Sequence, residues 1–153
     1  MPLVGRDREL AHLQSLVADA RERRGRVMEI VGGSGTGKSR LVEELRDGAP
    51  DVRTLTVICG QYARSTPYFA LRILLRGLAG VDTLAAPDEA GPLLTAWVTT
   101  TAPELLLWLP LIADAFEAEV PPTPDADRIA PEYRRDRTHE AIALLLTAAC
   151  QDA

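Results

Sequence analysis

Gly32, Gly33, Gly35 and Gly37 alternate with Ser34 and Thr36 and run directly into Lys38, Ser39 and Arg40. A glycine, four residues, then Gly-Lys-Ser is the spacing of a phosphate-binding loop. Triphosphate oxygens carry several negative charges that must leave water, so their site needs many donors near the backbone and no side chains in the way. Glycines give that access, because they adopt positive φ without steric cost and let consecutive amides turn inward as an anion nest. A helix beginning at the end of the loop would aim its positive pole at the same point. On this reading the amides around Ser34 to Ser39 cradle the α and β phosphates, and Lys38 reaches β and γ. The Ser39 hydroxyl would hold Mg²⁺ and Arg40 would add charge. Lys38 is also the only lysine against sixteen arginines, so a compact ammonium has been placed in a chain that otherwise uses guanidinium.

The elements that would position this loop follow from the pattern on either side. Val27, Met28, Ile30 and Val31 form a short apolar run that predicts a strand, and Leu41, Val42 and Leu45 recur at helical spacing. Gly48 suits a left-handed cap and Pro50 ends that helix. Val52 to Cys59 is short and rich in β-branched residues, which predicts a second strand closed by Gly60. Before the loop, Leu10, Leu13, Leu16, Val17 and Ala20 share one helical face, with Asp7 as a candidate cap and Gly25 as the stop. Beyond Gly60 the chain reads as helical. Thr66-Pro67 opens one helix, Pro87-Asp88 another, and Pro103 a third with a break at Pro110. A proline-rich loop at Pro121, Pro122 and Pro124 leads to a last helix from about Arg134.

The expected fold is therefore α/β. It is a partial P-loop nucleotide triphosphatase fold, with a P-loop strand, a second strand and a helix-rich remainder. Residues 1–153 form the N-terminal part of one domain, divided into 1–26 (opening segment and helix), 27–60 (strand, loop, helix, strand) and 61–153 (helical region).

With 153 residues and 46% hydrophobic content, the chain is long enough for one cored domain. A net charge of −5 offers no broad basic surface for nucleic acid, and no apolar run approaches the ~20 residues that span a bilayer. The charged N-terminus does not read as a signal peptide, so the expected location is the cytoplasm. Cys59 and Cys150 lack metal spacing, and His12 and His139 have no second ligand nearby. Trp97 and Trp108 fit apolar helix positions. The Ala, Arg and Leu bias suggests a GC-rich bacterial genome.

The loop, the opening LVGRDREL and the later STPYFALRILLRGL together resemble the AAA-like ATPase module of the STAND class, found in large bacterial regulators. The resemblance implies that Val4, Gly5 and Arg6 sit near adenine and ribose, with ATP and Mg²⁺ as cofactors and other domains or subunits of a larger regulator as partners. APELLLWLPLIADAF, VPPTP and YRRDRTHEAIALLL look like the variant fused to class III adenylate or guanylate cyclases, and less like the variant in helix-turn-helix regulators.

A hydrolysing member needs an acid at the end of another buried strand. The one apolar run ending in acid is Leu107 to Asp114, and Pro110 would interrupt a ladder there. In the family, that Walker B strand would follow the final helix and lie between the two expected strands. The module is therefore expected to be truncated. Its strands should either pair in a non-family order or leave apolar surface exposed and self-associate. Three functions stay open at this point: an ATP/Mg-binding regulatory module, a phosphotransferase with the later helices as a lid, or a helical scaffold whose loop is unused. Arg134, Arg135 and Arg137 could sense a γ phosphate or form a solvated helix start. Thr66, Pro67 and Tyr68 could line the nucleotide site or simply cap a helix.

Overall fold

Apolar residues recur at helical spacing through most of the chain, and helices are what the chain builds. The computed structural model describes residues 5–60 and 66–151. In chain order they form α1 (Asp7–Arg21), α2 (Lys38–Asp47), α3 (Phe69–Ala79), α4 (Pro87–Thr101), a 3₁₀ helix (Pro103–Trp108), α5 (Leu109–Phe116), the single turn α6 (Pro124–Asp127) and α7 (Pro131–Ala149). The chain divides into two compact units, Met1–Thr54 and Leu55–Ala153.

The expected α/β fold is not formed. Among the described residues there is no strand, and both Val27–Val31 and Val52–Cys59 run as unladdered chain. The physical reason is that β-branched, apolar sequence makes a segment suited to a sheet, but a strand exists only when a neighbour supplies its hydrogen bonds. No described segment does so here. Val27, Val31 and Ile58 are consequently left exposed. Apolar side chains along unpaired backbone are a template for association, so the sedimentation-average mass should rise with protein concentration. Val27→Lys with Val31→Lys should suppress that rise, and a wild-type protein monomeric at every concentration would refute the expectation.

In the second unit, prolines punctuate the helices. Each helix from α4 onward carries proline in its first two positions, where the missing N–H costs nothing. Thr123 caps α6, its hydroxyl accepting from the Ala126 amide at 3.3 Å. The break expected at Pro110 is the junction between the 3₁₀ helix and α5. Helix α3 departs from expectation: it starts after Tyr68, whose φ is +57°, and not at Pro67. Helix α5 is the centre of the unit, packing on α3, α4 and α7. Leu75, Leu94, Val98, Ile112, Phe116 and Leu145 are fully buried around it. Gly91 admits the closest approach. A Cβ there would stand 1.8 Å from the Glu119 carbonyl oxygen, so the strap after α5 crosses α4 where no side chain fits.

A buried arginine closes the same core. Arg76 is 1% exposed, and each of its three guanidinium nitrogens donates to backbone carbonyls, five in all. Its Nε donates to Phe116 at 2.8 Å and its Nη2 to Glu117 at 2.6 Å. Its Nη1 donates to Asp82, Thr83 and Ala85 at 3.2, 3.2 and 2.8 Å. Burial pushes the guanidinium pKa down, while the nearby Glu117 charge pulls it back up. Glu117 itself pairs with Arg72.

The first unit has less to hold it. Helices α1 and α2 pack together through the buried Leu13 and Leu41, with Ala49 buried after α2. Helix α1 ends at Arg21, short of Gly25, with Arg6 at its N-cap where Asp7 was expected. Gly48 ends α2 in a right-handed conformation. Exposed ion pairs supplement the packing. Arg21 meets Asp51 in a fork, with Nη2 at 2.7 Å from Oδ1 and Nε at 3.1 Å from Oδ2. Arg24 and Arg26 converge on Asp19, and their hydrogen bonds hold its carboxyl below the usual range; Arg21 does the same for Asp51.

A depressed folded-state pKa contributes stability that is complete above the unfolded value, ~3.9 for aspartate, and is lost as pH falls through the folded value. The first unit should therefore loosen on acidification below about pH 4. In urea titrations at neutral and acid pH, Asp19→Asn with Asp51→Asn should flatten that dependence. An unchanged acid response would contradict it.

Candidate functional site

The loop turns by means of two glycines in the left-handed region, Gly35 at φ +76° and Gly37 at φ +80°. Gly37 is the N-cap of α2, so Lys38 and Ser39 are the first two residues of the helix. A side chain at either glycine would be strained, which gives the sequence spacing its physical reason. Gly32 is constrained by space as well: a Cβ there would lie 2.9 Å from the Thr36 hydroxyl.

Three side chains donate to the loop's own carbonyls. Lys38 Nζ reaches Gly32 at 2.8 Å and Gly33 at 2.7 Å. The Thr36 hydroxyl donates to Gly33 at 2.9 Å. Arg6 Nη2 donates to Thr36 at 2.6 Å. Gly32 through Gly37 and Ser39 are exposed, and Lys38 is half-buried. The loop thus lies open to solvent along its whole length, with a helix N-terminus beneath it. Arg40 points away down α2 to Glu44 and Glu43. Gly5, at φ +74°, turns the chain into α1 beside Arg6. Val4 lies outside the described residues.

A cleft with no local sequence signature lies beside the loop. About 310 Å³ in volume, it is floored by Leu13, Met28, Ile30 and Leu41 and rimmed by Arg6, Glu9, His12 and Glu29. These residues lie on α1, α2 and the extended run before the loop, so a local motif could not have revealed them. Among the described residues no group of three or more His, Cys, Asp or Glu could hold a metal ion.

The other candidates have local partners in the second unit. Asp114 is exposed on α5, 3.7 Å from Arg134, and does not end a strand. Arg135 lies 3.7 Å from Asp136. Arg137 stacks 4.6 Å from the Trp108 ring and donates to Glu140. Tyr68 meets His139 edge to face. No described helix is long and apolar enough to cross a membrane.

A glycine turn that opens a helix headed by Lys and Ser belongs to the class of loops on which polyphosphates dock. The chain belongs to the AAA ATPase domain family, whose model matches residues 2–153, and it is therefore a module of nucleotide-binding ATPase type. No curated protein and no solved structure matches it.

Proposed function

We propose that the chain is an ATP- and Mg²⁺-binding regulatory module of a signalling ATPase, acting through nucleotide occupancy. The observation that carries this reading is the pair of left-handed glycines, Gly35 and Gly37, placing Lys38 and Ser39 at the head of α2. Amides from Gly33 to Ser39 hold the phosphates, with Gly32 leaving room at the loop's start. Lys38 exchanges its loop carbonyls for phosphate oxygens, and Arg40 adds long-range positive charge. The base and sugar lie toward Gly5, Arg6 and the cleft; its volume falls within the range of small-molecule sites, ~300–1,000 Å³.

The donor set fits Mg²⁺ as a bridged ion. Ser39 supplies one hydroxyl and the nucleotide supplies phosphate oxygens, which suits a cation that keeps several waters and seldom takes an all-protein cage. When bound, it neutralises phosphate charge. The family assignment and the STAND-like sequence stretches support a role as a switch in a larger cytoplasmic bacterial regulator, of cyclase-linked or helix-turn-helix type. Occupancy would order the loop against α1 and change contacts with partner domains.

Calorimetry of the wild-type chain tests the reading. MgATP should give saturable one-to-one binding, and AMP, which lacks the β and γ phosphates, should give none. Equal heats from the two nucleotides, or no heat from either, would leave the scaffold reading in its place.

A further inference from the structure

We infer that Arg6 is a positioning residue for the phosphate loop, acting by orienting the Gly37 amide. The inference rests on the phosphate-binding reading above. Arg6 stands immediately before α1, where its own carbonyl accepts the Leu10 amide at 3.0 Å in the first helical turn. Its backbone is thereby tied to a helix that packs on α2. From that anchor the side chain reaches thirty positions along the sequence to the Thr36 carbonyl. Glu9 and Glu29 line the same cleft, yet the bond runs to a backbone oxygen.

A trans peptide is planar, with its C=O and the following N–H pointing in opposite directions. Holding the Thr36 oxygen toward Arg6 therefore turns the Gly37 N–H away from Arg6. The next peptide is fixed independently, because the Gly37 carbonyl accepts the Leu41 amide at 3.0 Å as α2 begins. Gly37 is a glycine at φ +80°, the residue type least able to hold its own conformation. With α2 gripping one flank, the Arg6 bond removes the remaining freedom on the other. Loop order is thus set before an anion arrives, which lowers the ordering cost of binding.

The test compares wild type, Arg6→Gln and Arg6→Lys by calorimetry with MgATP and with magnesium tripolyphosphate, alongside ¹⁵N–¹H spectra of each protein alone. Arg6→Gln should weaken both ligands by the same factor, about tenfold, with the thermal midpoint nearly unchanged. It should also shift the Gly37 amide resonance in the protein alone. Arg6→Lys, which keeps a charged donor, should recover part of both effects. A loss confined to MgATP would make Arg6 a nucleoside contact and overturn the inference, as would a Gly37 amide that does not move. If neither ligand binds wild type while that amide moves as expected, the phosphate-binding reading falls and the tether between Arg6 and the loop stands.

Discussion

Arg76→Ala is expected to destabilise the helical unit by about 3–5 kcal/mol, the range seen when a buried charged group's partners are orphaned. The substitution takes a donor from five carbonyls at once, two at the end of α5 and three in the turn after α3, of which only Asp82 keeps another among the described residues, the Ala85 amide. Each buried acceptor left without a donor costs about 1–3 kcal/mol, moderated where water can enter. The guanidinium also lies 5.5 Å from the Phe116 ring, so packing is lost together with hydrogen bonding. A domain has only ~5–15 kcal/mol of net stability, so the loss should be visible as a large drop in urea midpoint. Trp97, 6.3 Å from Phe116, provides the fluorescence signal. Arg76→Lys should fall between wild type and alanine, since an ammonium offers three donors against five carbonyls. A midpoint unchanged in Arg76→Ala would show that the pin carries no weight.

Lys38→Met is expected to weaken MgATP at least ~100-fold, about 2.7 kcal/mol, while leaving the urea midpoint nearly unchanged. The asymmetry follows from where the ammonium is bonded. In the protein it donates to two carbonyls in an exposed loop, where water can replace it. Against phosphate oxygens it would make charge-assisted bonds, each worth about 1.5–3 kcal/mol. Lys38→Arg should not restore binding, because a planar fork cannot occupy the space of a compact ammonium at the head of α2. Equilibrium dialysis decides the matter: a dissociation constant within twofold of wild type would remove Lys38 from the site.

The helices and the loop could be read from sequence because their causes are local. Pro87 and Pro103 mark the starts of α4 and the 3₁₀ helix, and glycines at positions 35 and 37 mark the points where φ is positive, whereas α7 begins at Pro131, ahead of the expected Arg134. Sheet formation has no local cause. Val27–Val31 and Val52–Cys59 carry the composition of strands, but composition does not reveal whether a neighbour stands beside them. Tyr68 defeats the expected cap at Thr66-Pro67 because a left-handed turn just before α3 has no signature in a tyrosine.

Arg76 and Gly91 were silent for a related reason. Their partners are backbone atoms, some nearby in Asp82, Thr83 and Ala85 and the others far along the chain in Phe116, Glu117 and Glu119, and a backbone carbonyl leaves no trace in the sequence. The cleft rimmed by Glu9, His12 and Glu29 is likewise assembled from three segments. The loop's candidate residues were legible because they are consecutive, whereas Arg6 came from resemblance and found its structural partner, Thr36, only in the folded chain.

Nucleotide binding by this chain requires that the backbone amides between Gly33 and Ser39 be the group that meets phosphate. ¹⁵N–¹H spectra recorded through a titration with MgATP observe those amides directly. The resonances of Gly35, Gly37, Lys38 and Ser39 should move downfield together and saturate with a single dissociation constant, while those of α7 stay in place. Loop resonances that hold still while MgATP binds elsewhere would contradict the account.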